Sequence, residues 1–175
     1  MKTVIKTKQF ILRTFKTSDA QDLKRNINDK TIYRNTLHIP YPYKDKDAQT
    51  WIKKCQYRAK QKRPKVVSFV IVINNEVVGS IGLKNILWNH KAELGYWLSR
   101  KHWGKGLMTK IVKETLKYGF HQLKLKRIFA FTFPHNKASA RVLLKNGFKQ
   151  EGYLKKNVKK NNRFMDQYLF AITRK

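Results

Sequence analysis

Between Val66 and Ser99 the apolar residues come in short β-branched and aromatic runs: VVSFVIVI, the pair Asn74-Asn75, VVGSIGLKNIL, then AELGYWLS after Asn89-His90. Runs of this length, punctuated by turn-forming residues, predict three antiparallel strands in a meander. The period then changes. Leu107, Ile111, Leu116, Phe120 and Leu123 recur at helical spacing, and a β-rich run, RIFAFTF at 127–133, comes after them. A strand, loop, helix and strand in that order predict a parallel crossover. Upstream, Thr3–Phe15 alternates loosely and reads as an opening strand or bent hairpin arm. Thr17-Ser18-Asp19 offers an N-cap for a helix running to about Asn28, and Asp45 or Asp47 caps another that ends near Lys62, ahead of Pro64. A helix over Lys137–Asn146 stops at Gly147, which suits a left-handed C′ position, and two strands near 148–157 and 163–173 close the pattern. Tyr33–Tyr43 (YRNTLHIPYPY) carries Pro40 and Pro42 and is predicted to be loop, not helix.

With 175 residues, 41% hydrophobic and 13% aromatic, and with neither an internal repeat nor a Pro/Gly/Ser linker, the chain is expected to form one domain over 1–175. No stretch approaches the roughly 18 to 20 apolar residues of a membrane span, and MKTVIKTKQF has no apolar run before a small-residue cleavage site. Cys55 stands alone, which excludes a disulfide framework and the Cys/His spacing of a zinc site. The expectation is a cytoplasmic monomer or homodimer with no membrane partner and no metal. The 40 Lys and Arg face only 10 Asp and Glu, a net charge of +30. Such a field favours weak association with RNA or ribosome surfaces. A/T-biased codon usage would give the same excess of Lys, Asn and Ile, so the charge alone assigns no ligand.

The chemistry concentrates where the third meander strand meets the long helix, at Arg100-Lys101-His102-Trp103-Gly104-Lys105-Gly106-Leu107. The first N–H groups of a helix lack intrahelical partners and carry the positive end of its dipole, so they suit phosphate oxygens. Gly104 and Gly106 would let backbone approach an anion closely, and Lys101 and Lys105 add charge. A tight strand-to-helix turn would explain the same glycines. Two other phosphate motifs are excluded: here Gly-Lys precedes another Gly instead of Ser/Thr, and Thr109 stands where a dinucleotide fingerprint needs its third Gly.

The string AELGYWLSRKHWGKGLMTKIVK, with FPHNKASARVLLKNGFKQEG downstream, resembles the GCN5-related N-acetyltransferases (GNAT), in particular the branch acting on ribosomal-protein N-termini. The resemblance runs from FILRTF through PYPYKDKDAQTWI to the terminal strand. It implies an α/β (α+β) fold, a mixed, mostly antiparallel sheet splayed between its fourth and fifth strands and flanked by about four helices. It also implies acetyl-CoA as co-substrate, with pyrophosphate on the loop from Lys101 to Leu107, including His102 and Trp103. The pantetheine arm would lie along the backbone of Leu94, Tyr96 and Leu98 and against Asn136. The family loop begins with Gln or Arg; Lys101 departs from that while the glycines are kept.

Acetyl transfer requires a neutral amine, a proton acceptor and a proton for the leaving thiolate. Of the four glutamates, Glu93 begins the strand leading into the loop and is the candidate base, with Glu151 second; Glu76 and Glu114 are expected to be solvated. Leu144 stands where many family members have a Tyr acid, so Ser139 is the candidate substitute, while His90 and His135 read as surface or packing residues. Asn136 would also serve as a plain helix cap. The aromatic loop, with Tyr33, Tyr41 and Tyr43, is expected to wall the amine-acceptor cleft. The resemblance implies a protein or peptide N-terminus, such as that of a ribosomal protein, as acceptor. A small-molecule amine acetyltransferase and a basic ribosome- or RNA-binding module without turnover are the alternatives.

Overall fold

The computed structural model describes residues 4–174; Thr3, where the opening strand was expected to begin, lies outside them. That strand breaks into β1 (Ile5–Lys6) and β2 (Ile11–Arg13), because Thr7 Oγ1 accepts from the Gln9 and Phe10 N–H groups and turns the chain between them. Then come α1 (Ala20–Ile27), α2 (Lys30–Asn35) and α3 (Asp45–Ala59). The meander is next, as β3 (Val67–Ile73), β4 (Glu76–Leu87) and β5 (Lys91–Leu98), leading into α4 (Leu107–His121). After them lie β6 (Arg127–Thr132), α5 (Lys137–Lys145), β7 (Lys149–Lys160) and β8 (Arg163–Thr173).

The helix starts depend on acids acting from a distance of three residues. Asp19 and Asp47 each accept from a backbone N–H three positions earlier, at Lys16 (2.7 Å) and Lys44 (2.8 Å); Asp19 holds the N-cap position of α1, as expected, with its side chain bonded backward, whereas Lys44 and not an aspartate holds that of α3. One helix was not expected. Asp29 accepts from the N–H groups of Thr31 and Ile32 and nucleates α2, which takes Tyr33 to Asn35 out of the predicted loop. A proline restricts itself and the residue just before it, so Pro40 and Pro42 constrain the chain only from Ile39 to Pro42. Helix can therefore persist to Asn35, and the loop starts at Thr36. At the other end Gly147 (φ +82°) closes α5: its N–H reaches Leu144 O and that of Phe148 reaches Leu143 O, the paired bonds of a Schellman ending.

Among the described residues the strands form one sheet in the order β1-β2-β3-β4-β5-β6-β8-β7. Its β3–β4 hairpin turns on Asn74 (φ 49°) and Asn75 (φ 63°), the left-handed pair that a two-residue turn between twisted strands demands. Every neighbouring pair is antiparallel except β5 and β6, which α4 connects as a parallel crossover. One face carries α1 and α3 over Val70, Val72, Val77 and Trp97; the other carries α4 and α5 over Ile81, Leu83, Leu94, Leu98 and Ile128. This is why the Tyr96-Trp97 stretch is apolar on both faces: β5 is central and covered on both sides.

β5 and β6 pair only through Lys91↔Arg127, Ala92↔Ile128 and Glu93↔Phe129, while β6 stays on β8 as far as Thr132↔Tyr168. Beyond Glu93 the sheet therefore splays, as expected between the fourth and fifth strands when the broken first strand is counted as one. The Ser99 N–H donates to Val78 O on β4 at 2.7 Å. Backbone groups alternate edges along a strand, so Leu94, Tyr96 and Leu98 turn theirs toward the edge that β6 has left.

Candidate active site

The cleft opened by the splay ends at the loop before α4. Arg100–His102 form a single 3₁₀ turn, and the chain then reaches Gly104 (φ +74°) and Gly106 (φ +67°), left-handed conformations that a residue with a Cβ adopts only under strain. No protein atom lies within 4 Å of where either Cβ would stand, so packing does not require these glycines; the backbone conformation does. Gly106 is the N-cap of α4 and has no side chain to satisfy the first N–H groups, which are left to face an anion. His102 Nε2 is buried without a hydrogen-bond partner, and desolvation followed by Lys101 and Lys105 lowers its imidazole below the usual range. These features fit a diphosphate, which could be held by the backbone from Gly104 to Leu107 with Lys105 beside it.

Two sequence-predicted residues of the loop are otherwise occupied. Lys101 Nζ is drawn onto Glu76, 2.8 and 2.9 Å from its two oxygens, and Trp103 Nε1 donates to Leu98 O at 2.7 Å. Leu98 O is thus taken, leaving Leu94 and Tyr96 as the strand residues suited to pair with an extended amide chain. Leu107 is buried and roots the loop in the core.

Of the candidate side chains, Asn136 and Ser139 lie together at the start of α5, while Glu93 is held apart from them by partners on β4. Glu93 is 13% exposed; its Oε1 lies 2.8 Å from Lys84 Nζ and its Oε2 accepts from Asn85 at 3.1 Å. Across the splay, Asn136 Oδ1 accepts from the Ser139 N–H at 3.1 Å and caps α5, so the capping role expected for it is present. Ser139 Oγ in turn lies 2.9 Å from the Tyr96 hydroxyl, joining β5 to the start of α5. Burial raises the Tyr96 phenol to about 12, against the pull of Ser139. Glu151, the second choice as base, is exposed and paired with Arg127 on the outer part of the sheet.

The aromatic segment divides. Tyr43 is 6% exposed and packs with Ile27, Ile32 and Ile52, its backbone held by Asn28, so its ring belongs to the core and not to a substrate wall. The ring's neighbours come from α1, α2 and α3, which the linear sequence does not show to be adjacent. Tyr33 and Tyr41 remain near the surface with ring centroids 5.9 Å apart. The β7–β8 hairpin reaches over to them: Lys160 Nζ sits 3.8 Å from the Tyr33 ring centroid and donates to Thr36 O, and Asn161 donates to the Tyr33 hydroxyl. His38, between the two tyrosines in sequence, is lowered by burial and then by Lys84, while Glu93 acts in the opposite direction. It therefore shares a neighbourhood with the candidate base. Sequence reasoning missed His38, Lys84 and the Lys160 clasp; only the imidazole inside a proline-rich aromatic segment carried a local signal.

Cys55 is buried, and desolvation pushes its thiol up to about 11, which makes it a packing residue and a poor nucleophile. Among the described residues no helix is long and apolar enough to cross a membrane.

The chain matches known proteins over most of its length. A family model described as an acetyltransferase (GNAT) domain covers residues 9–149. Probable N-acetyltransferase YjcK of Bacillus subtilis is 42% identical over 101 residues, which are 57% of this chain and 56% of that protein. The [ribosomal protein uS5]-alanine N-acetyltransferase of Escherichia coli is 33% identical over 100 residues, 56% of this chain and 52% of that enzyme. These two matches therefore span about half of each relative. A crystal structure of a GNAT-family acetyltransferase from Bacillus anthracis superposes with a TM-score of 0.83 at 28% identity, over 98% of both chains. The left-handed glycine loop on α4, the splay that leads to it and the family match agree, and the chain belongs to the GNAT acetyltransferase family.

Proposed function

We propose that this protein transfers an acetyl group from acetyl-CoA to the α-amine of a protein or peptide N-terminus. The observation that carries the donor half is the pair of left-handed glycines at the uncapped start of α4, opening onto the edge of β5 that β6 has left. In this reading the N–H groups there hold pyrophosphate, and the Leu94 and Tyr96 backbone with the Asn136 amide hold pantetheine.

Acetyl-CoA supplies an activated thioester, so the protein needs neither a metal nor a covalent nucleophile for this step. Glu93, with Lys84 and Asn85 fixing its two oxygens, accepts the amine proton directly or through a water. Ser139, held by the α5 cap, gives a proton to the departing sulfur. The acceptor is argued from proton energetics. Bringing an α-amine of pKa ~7.8 to its neutral form at pH 7 costs about 1 kcal/mol, against about 4.6 for a lysine of pKa ~10.4. A site with one carboxylate base suits the easier amine. The clasped Tyr33, Tyr41 and Thr36 segment supports an extended peptide wall, and the +30 charge disfavours free polycations. The Escherichia coli relative is a ribosomal protein uS5-alanine N-acetyltransferase, which supports a protein acceptor.

A thiol-release assay with acetyl-CoA, run across N-terminal peptides, lysine peptides, polyamines and aminoglycosides, tests this. The highest kcat/KM is expected for peptide N-termini. Efficient acetylation of spermidine or an aminoglycoside, with no turnover of any peptide N-terminus, would overturn the acceptor assignment.

A further inference from the structure

The Tyr96–Ser139 contact is the point where the two walls of the splay touch through side chains from β5 and α5, 43 residues apart. The Tyr96 hydroxyl lies 2.9 Å from Ser139 Oγ and 3.4 Å from Ser139 O. Either hydroxyl can donate across the shorter contact, and the longer one, to a carbonyl oxygen that can only accept, shows that the phenolic hydrogen has acceptors on Ser139. When Oγ accepts, the serine's own hydrogen is free to point elsewhere. The Ser139 N–H is meanwhile fixed on Asn136 Oδ1, which holds the residue from its backbone side. Ser139 is partly buried and the Tyr96 ring packs against the α4–α5 core. A serine hydroxyl is a very weak acid alone, and a phenol behind it is the more acidic of the two even where burial raises it.

We infer that Tyr96 is a positioning residue for acetyl transfer: it donates to Ser139 Oγ, turns the serine hydroxyl toward the leaving sulfur and backs its proton transfer. This rests on the reading of Ser139 as the acid. The amine nitrogen forms a bond to the acetyl carbon, and the carbon–sulfur bond breaks with its electron pair going to sulfur. Sulfur takes the Ser139 proton as Oγ takes the Tyr96 proton. The phenolate is refilled through solvent by the proton that the amine has lost. The usual Tyr acid is thus replaced by a tyrosine on the opposite wall, working through a serine.

A double-mutant cycle on the full chain tests this, combining steady-state rates with calorimetric CoA affinity and thermal unfolding. Ser139→Ala is expected to lower kcat about a hundredfold, at the lower end of general acid catalysis, and Tyr96→Phe, which acts through it, about tenfold. The double variant should match Ser139→Ala, and CoA affinity should stay within about twofold throughout, since neither hydroxyl makes a uniform binding contact. Ser139→Thr, which keeps the hydroxyl and the capped N–H, should retain most of the rate. If Tyr96→Phe lowers kcat by the same factor in both backgrounds, or lowers CoA affinity as much as kcat, Tyr96 does not act through Ser139. That outcome overturns the inference and leaves the acid assignment standing. An unchanged kcat in Ser139→Ala removes the acid assignment, and the inference with it.

Discussion

At the scale of single residues, two positions carry a structural and a proposed functional role at once, and the two can be separated. Asn136 uses Oδ1 to cap α5, and only its amide Nδ2 is offered to pantetheine in the proposed reading. Asn136→Asp keeps the capping oxygen and removes the donor, so unfolding stability should hold while the KM for acetyl-CoA rises several-fold. Asn136→Ala loses both and should in addition lose about 1 kcal/mol of stability. An unchanged KM in both variants would confine Asn136 to capping. Gly106 sits at φ +67° with open space around its missing Cβ. Gly106→Ala should cost about 1–2 kcal/mol from backbone strain alone. Acetyl-CoA affinity, measured by calorimetry, should fall by more than that strain accounts for. Loss of stability without loss of affinity would reduce the loop to a tight turn.

At the scale of elements, the glycine loop before α4 is tied to α1 and to the β3–β4 hairpin by a polar knot that the sequence did not foreshadow. Glu76, expected to be solvated, accepts from Asn26, Lys101 and Arg25, and these bonds hold its carboxyl down at about 2 from an ordinary 4.5. The Asn26 amide also donates to Val77 O and accepts from the Ser99 hydroxyl, next to the loop itself. A carboxyl with a depressed pKa in the folded state stabilises it fully above the unfolded pKa, and that contribution is lost as pH falls from about 4.5 toward 2. Glu76→Gln should therefore lie below the wild type in Tm at pH 6, with the gap closing through that window; a gap independent of pH would show that the charge contributes nothing. A second contact between elements is steric. A Cβ on Gly119 would stand 2.8 Å from Ile128 Cδ1 and 3.1 Å from Leu83 Cδ1, so α4 lies on the sheet as closely as a glycine allows. Gly119→Leu is expected to destabilise by about 1–3 kcal/mol through overpacking, read in denaturant unfolding.

For the whole molecule, the +30 charge acts on stability and on encounter. Raising salt from 0.01 M to 0.1 M shortens the Debye length from roughly 30 Å to about 10 Å. Self-repulsion among the 40 basic side chains should weaken accordingly, with Tm rising by about 2–4 °C for each 1 kcal/mol relieved. The same salt should slow acetylation of an amine presented on an acidic or RNA-bound carrier more than that of a short neutral peptide. Equal salt dependence for the two would mean that the charge plays no part in recruiting the acceptor.

The meander, the crossover, the Asn-Asn turn, the Gly147 ending and the glycine loop before α4 are readable from the chain because each depends on residues within one turn or one strand of each other. Periodicity, caps and left-handed φ values are local quantities, and GKG at a strand-to-helix boundary announces itself. Side-chain partnership is not local. Tyr33 and Tyr43 look alike in YRNTLHIPYPY, yet one sits under Lys160 of β7 and the other is buried among three helices. Glu76 found its partners 25 to 51 residues away, and Tyr96 met Ser139 across 43. Even α2 was hidden by prolines whose constraint begins only at Ile39, beyond its end. The sequence by itself determined the meander, the crossover and the left-handed glycine loop before α4. Only the tertiary structure decided which hydroxyls, carboxylates and rings meet, because those contacts exist only after the sheet has splayed and the helices have closed over its two faces.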